Sequence, residues 1–163
     1  MNIKLFITGG TIDKVYNQSN GELAFKETHF PEMLLRARVE VEISSEVLML
    51  IDSLDMVNAD RELILKRCLE CDEDRILITH GTDTMCKTAK LLGESDLNKT
   101  IVLFGAMVPY AVSNSDALFN LGCALGSVQL LESGVYVAMN SRVLPWADVQ
   151  KNRDLGVFQP LSP

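Results

Sequence analysis

Hydrophobic residues in this chain fall into short dense runs, and between the runs apolar positions recur at helical spacing. The runs are Ile3 to Ile7, "RILITHG", "TIVLFGAM" and "GVYVAMN". Near-continuous apolar runs of this length predict strands covered on both faces. Val39 to Ile51 adds two strand-like pieces, "VEVEI" and "EVLMLI", and the alternation of the first predicts one wet face. Helical patterns run from a cap at Asn58 or Asp60 to about Cys71, from about Asp83 to Leu92, and from Ser115 to Glu132. "DKVYNQSNGELAF", Asp13 to Phe25, is polar and reads as a mobile loop or loose hairpin. The tail "LPWADVQKNRDLGVFQPLSP" reads as irregular. Strands alternating with helices predict an α/β fold, a mostly parallel sheet with helices on both faces, in a single domain.

In open parallel sheets ligands bind beyond the carboxyl ends of the strands. Four segments end a strand with unusual chemistry: "TGGT" at Thr8 to Thr11, "DSLDM" at Asp52 to Met56, "HGTDT" at His80 to Thr84, and "GAMVP" at Gly105 to Pro109. If their strands are parallel, all four lie at one edge. Gly9 and Gly10 allow a sharp turn with main-chain N–H groups near Thr11, an arrangement able to stabilise an oxyanion, although a simple tight turn explains the pair equally well. Gly-x-Gly-x-x-Gly is absent, which disfavours a dinucleotide cradle. In "GTDT" one of Thr82, Asp83 and Thr84 is accounted for as a helix cap, worth about 1 kcal/mol; three are not. A helix N-terminus with hydroxyls suits a carboxylate, and Asp83 suits an ammonium, the two groups an amino acid carries. His80 at a strand end is more often a hydrogen-bonded packing residue than a base. His29 has no partner motif.

Composition narrows the classes. The 163 residues, 47% of them hydrophobic, suffice for one well-filled core and are too few for two ordinary domains. A formal net charge of -7 and the lack of any basic run argue against a nucleic-acid surface. The longest apolar stretch, Ile101 to Val112, is interrupted by Gly105 and Pro109 and is shorter than the roughly 20 residues of a membrane helix. The N-terminus does not follow the secretory pattern, so a cytoplasmic protein is expected. Cys68 and Cys71 form a C-x-x-C inside a helical pattern with no second ligand pair, and with Cys86 and Cys123 they read as helix thiols. No metal and no cofactor is expected.

"ITGGTI", "DSLDM", "ITHGTDTM", "FGAMVP" and "VAMNSRVLPWADVQK" follow in order the signature segments of the bacterial-type L-asparaginase family, which this chain resembles over nearly its whole length. The resemblance implies a Rossmann-like amino-terminal domain that hydrolyses a small amide, L-asparagine first, through a threonine acyl-enzyme with release of ammonia. It implies Thr11 as nucleophile, a loop tyrosine beside it, for which Tyr16 is available although Phe25 stands nearer the family's spacing, and Thr82, Asp83 and Lys151 as the second catalytic group. The implied substrate-binding set is Gly10, Ser53, Leu54, Asp55, Gly81, Thr82, Asp83 and Ala106. Leu54 departs from the glutamine common in well-studied members. The chain is also short: family members carry a second domain of comparable size, whose carboxylate in a neighbouring subunit completes the amino-group site, so a single-domain form over residues 1–163 without that cover is expected. A non-catalytic amino-acid-binding domain is the alternative. Helix faces around Leu121, Leu125 and Val128 are expected to be poorly covered and to drive homo-oligomer formation.

Overall fold

The computed structural model describes residues 1–161. In chain order it contains β1 (Asn2–Gly9), β2 (Lys14–Asn17), β3 (Glu22–Phe25), α1 (Phe30–Arg36), β4 (Glu42–Ile51), α2 (Asn58–Glu70), β5 (Arg75–Thr79), α3 (Met85–Glu94), β6 (Thr100–Phe104), α4 (Ala117–Leu130), β7 (Gly134–Met139), β8 (Arg142–Pro145), β9 (Gln150–Asn152) and β10 (Val157–Gln159). The central six-stranded sheet has the order β4-β1-β5-β6-β7-β8. Its first five strands are parallel, and β8 runs antiparallel to β7.

Alternate residues of the buried strands point into two separate cores. Ile3, Leu5, Ile7, Leu77, Val102, Phe104 and Ala138 meet α1 and α4 through Phe30, Met33, Leu121, Ala124 and Val128. Phe6, Ile76, Ile78, Ile101, Leu103, Val137 and Met139 meet α2 and α3 through Ile64, Cys68, Met85, Ala89 and Leu92. A strand that must fill both cores has no position to spare for polar side chains, which is why these segments read as unbroken apolar runs. The crossovers from β1 to β4 and from β5 to β6 leave in opposite directions along the sheet. The topological switch point therefore lies between β1 and β5, the place where sheets of this order bind ligands.

The structure corrects several expectations. "VEVEI" and "EVLMLI" are not two strands: a single edge strand, β4, begins at Glu42, takes in only the last two residues of the first piece and all of the second, and leaves Val39 to Val41 outside it. The Thr82–Asp83–Thr84 group does not cap α3, which starts two residues later than expected and whose N-cap Thr84 makes no side-chain capping bond. Asp60 caps α2 from inside the first turn, its Oδ2 accepting the Val57 N–H at 2.8 Å. The tail is not irregular. Asn140 and Ser141 have φ of 55° and 62°, which turn the chain into β8, and β9 pairs with β10 as a second hairpin. The last two residues of that tail lie outside the described residues. Asp13 to Phe25 forms the β2–β3 hairpin. Leu121, Leu125 and Val128 are buried against the sheet, so they offer no exposed patch. The outer face of α4 does, with Phe119 and Leu130 60% and 87% exposed. No helix of the described residues is long and apolar enough to cross a membrane.

Candidate active site

The turn after β1 begins the site. Gly9 and Gly10 have φ of 88° and 80°, which favours glycine, and Gly10 N–H donates to Ile51 O at the end of β4 at 2.9 Å. A methyl group on Gly10 would stand 2.4 Å from Gly81 N, and one on Gly81 would stand 2.6 Å from Ser53 Oγ. Gly105 packs so tightly on the His80 carbonyl that a methyl group there would approach it to 2.3 Å. Four strand ends thus meet nearly backbone to backbone at one edge of the sheet. Glycine makes that approach possible.

Thr11 opens a 3₁₀ turn, Thr11–Asp13, and is half-buried with its hydroxyl committed to no hydrogen bond among the described residues. Behind it Asp13 Oδ1 accepts from Thr28 Oγ1 and His29 N–H, each at 3.0 Å, closing the base of the β2–β3 hairpin. Burial pushes the Asp13 pKa up, and those two bonds pull only partly against it.

Thr82 and Asp83 follow β5, across the switch point from Thr11. Lys151 Nζ donates to Thr82 Oγ1 at 2.7 Å and to Asp83 Oδ1 at 2.9 Å. The lysine side chain is 11% exposed, so this is an enclosed contact. Its carrier strand β9 is held by two devices. Phe158, opposite Lys151 on β10, is buried and its N–H donates to Asn140 Oδ1 at 2.9 Å. Trp146 lies over Gly93 of α3, where a methyl group would come within 2.3 Å of the indole.

The β4–α2 loop supplies Ser53, Leu54 and Asp55. Ser53 is buried and its Oγ has no partner among the described residues. Leu54 is 64% exposed, and exposed Asp55 sits in a turn closed by its N–H on Asp52 O at 3.0 Å. Burial raises the Asp52 pKa, but the Leu54 N–H and the Lys14 ammonium outweigh it and hold the carboxyl below its usual range. Lys14 also stands 5.7 Å from the Phe25 ring centre, so one cation ties the hairpin to the Ser53 loop.

Other candidates are placed as follows. Tyr16 is 61% exposed on β2, with its hydroxyl beside Gly21 at the hairpin turn and no hydrogen bond to the site. Ala106 is buried just after β6, followed by Met107 and Val108, whose N–H groups donate to the Asp116 carboxylate at 3.0 Å. His80 is a fully buried packing residue, with Nδ1 2.8 Å from Gly81 O and Nε2 2.7 Å from Thr88 Oγ1. A ring nitrogen facing a carbonyl must carry the proton, so Nδ1–H donates and Nε2 accepts from Thr88. Burial lowers its pKa to about 4. Cys68 and Cys71 are free, and burial pushes the Cys68 thiol up to about 12.

The family described as "Asparaginase, N-terminal" matches residues 2–158. The chain belongs to that family. The probable periplasmic L-asparaginase of Haemophilus influenzae is 36% identical over 174 aligned residues, covering 99% of this chain and 49% of its own length. The L-asparaginase of Thermococcus kodakarensis is 31% identical, with coverage of 99% and 52%. The solved structure of the thermostable L-asparaginase from that organism superposes with a TM-score of 0.88 at 29% identity, covering 100% of this chain and 52% of its own. This asparaginase-family chain thus spans about half the length of the curated relatives it matches. Three polar residues of the site lie outside the roles that the sequence motifs suggest. Lys14 opens β2 and Asp52 follows β4, so their sign is a pair of opposite charges at strand boundaries. Arg61 shares the buried stripe of α2 with Ile64 and Cys68, so a charge on an apolar face was its sign.

Proposed function

We propose that this site hydrolyses the side-chain amide of L-asparagine, or of a related small amide, to the acid and ammonia through an acyl-enzyme on Thr11. The observation that carries the reading is the enclosed Lys151 ammonium on Thr82 and Asp83, across the switch point from a half-buried threonine with an uncommitted hydroxyl. The Thr82 oxygen accepts from Lys151, so its own proton is free to point into the site. Thr11 Oγ attacks the amide carbon, the proton it loses passes to the amide nitrogen, and the C–N bond breaks with release of ammonia. Water then attacks the acyl carbon of the Thr11 ester, its hydroxyl going to the acid and its proton passing through Thr82 and Lys151 to the departing Thr11 Oγ. Ser53 takes the α-carboxylate of the substrate, Asp83 its ammonium, and Gly10, Gly81, Leu54, Asp55 and Ala106 frame it.

Ammonia release with L-asparagine, measured beside calorimetric binding, tests the reading. Turnover with an affinity far above that for propionamide is expected, because each lost polar partner costs about 1–3 kcal/mol. Equal affinity for the two amides overturns the assignment of Ser53 and Asp83. A second reading, amino-acid binding without turnover, is favoured by Tyr16, whose hydroxyl lies at the hairpin turn. Saturable binding with no ammonia would select it. We also read the chain as a homo-oligomer assembled through the uncharged outer face of α4, where Phe119 and Leu130 are exposed. A monomer in sedimentation equilibrium at micromolar concentration would overturn that assembly.

A further inference from the structure

Arg61 lies in the first turn of α2 and is only 7% exposed, yet its guanidinium is paired with no carboxylate among the described residues. Buried charges are ordinarily paired, because taking them out of water is costly. Its hydrogen bonds run in one direction. Nη1 donates to Met56 O at 2.9 Å and Nη2 to Thr84 Oγ1 at 3.0 Å, while Nε has no partner. Thr84, having accepted from the arginine, passes its own proton to Ser53 O at 2.8 Å. A full positive charge therefore stands two hydrogen bonds behind Ser53, whose buried hydroxyl is itself unpartnered.

Neutral donors would hold Met56 and Thr84 equally well, so the charge needs a reason of its own. No ion pair among the described residues cancels its field. Asp52 is neutralised by Lys14 and Asp83 by Lys151. Asp55 and Glu62 are exposed, where solvent screens them, and the half-buried Asp60 carboxylate is engaged by the Val57 N–H at the start of α2. His80 is held neutral by burial.

We infer that Arg61 is a specificity-determining positioning residue whose buried charge, acting through Thr84 and Ser53, draws the α-carboxylate of an amino-acid ligand onto the Ser53 hydroxyl. The inference rests on the amino-acid site proposed above and adds the source of its preference for a carboxylate. Arg61 need not touch the ligand. A cleft of about 690 Å³ opens beside Arg61, bordered by Leu54, Val57, Thr84 and Lys87.

Calorimetry with L-aspartate and with β-alanine, which lacks only the α-carboxylate, tests it. The wild type should prefer L-aspartate. In Arg61→Met the affinity for L-aspartate should fall about tenfold or more, as expected for loss of a unit charge at close range in a partly buried site, while that for β-alanine moves less than threefold. Arg61→Lys should recover most of the loss. Arg61→Gln keeps donors without charge and should behave like Arg61→Met, which preserves the test if the methionine variant does not fold. An unchanged preference in Arg61→Gln overturns the inference and leaves the amino-acid site standing. A wild type that binds neither L-aspartate nor L-asparagine overturns that site, and Arg61's role with it.

Discussion

One ammonium, Lys151 Nζ, bridges Thr82 Oγ1 at 2.7 Å and Asp83 Oδ1 at 2.9 Å, so a single cation from β9 sets the orientation of two adjacent side chains in the β5–α3 loop. Lys151→Met keeps much of the apolar stem and removes the charge. Turnover should fall by about 100-fold or more, the usual range for losing a proton-transfer group. Stability should fall by only about 1–2 kcal/mol, because Asp83 is 31% exposed and water replaces part of what it loses. Initial rates and urea unfolding on the same preparation separate the two effects. Undiminished turnover from pH 6 to 9 would remove Lys151 from the mechanism.

The two threonines should differ in how they fail. Thr11→Val removes the proposed nucleophile, and no acyl-enzyme should form by mass spectrometry after rapid quench. Thr82→Val removes the hydroxyl proposed to relay the proton of the attacking water, so any acyl-enzyme formed on Thr11 should accumulate. Both variants folding with full ammonia release would rule out covalent catalysis by either residue.

Much of this arrangement is legible in the sequence. The unbroken apolar runs gave the parallel strands because each must feed two cores, and strand ends rich in glycine and hydroxyls marked the edge where the segments meet. What stayed hidden depended on partners distant in sequence. Thr84 looks like a helix cap, but it is drawn out of that role by Arg61 and by the Ser53 carbonyl. The tail looks irregular because the turn into β8 uses Asn140 and Ser141 at positive φ where glycine is the usual sign, and because β9 owes its place to Trp146 lying on Gly93. The Leu121, Leu125 and Val128 face looks like an interface, yet that is the face α4 turns to the sheet. Periodicity finds an apolar stripe, and only packing says what covers it.

Glycine contact at the site can be tested against a glycine without contacts. In Gly81→Ala the new methyl group would lie 2.6 Å from Ser53 Cβ and Oγ and 3.0 Å from Ser53 N. Backbone must shift, at a cost of roughly 1–3 kcal/mol, and ligand affinity should fall with it because Ser53 moves. Gly122→Ala, on the exposed side of α4 with nothing within 4 Å, should instead gain about 0.5–1 kcal/mol from helix propensity and leave affinity alone. Thermal unfolding with and without L-aspartate reads both. Equal shifts in the two variants would mean that the close approach of Gly81 to Ser53 does not shape the site.

His80 should make the fold acid-sensitive well above the range where carboxylates titrate. Burial is the largest cause lowering its pKa from 6.5 to about 4, Arg61 adds repulsion, and the bond to Gly81 O opposes both only in part. The folded state therefore holds the ring neutral, while the unfolded chain takes up a proton near 6.5. Its contribution is fully present above that value and is lost as pH falls from there toward 4, amounting to about 2–3 kcal/mol by pH 4.5 at about 1.4 kcal/mol per unit. His80→Asn keeps a donor for the Gly81 carbonyl and cannot titrate. It should be less stable than wild type at pH 7, having lost the Thr88 contact and some volume, yet its stability should decline less between pH 7 and 4.5, by about 2–3 kcal/mol. Urea unfolding at those two pH values gives the comparison. Carboxylates such as Asp52 titrate alike in both proteins, so the difference between them isolates the ring, and parallel losses would show that His80 stays neutral in both states or is charged in both.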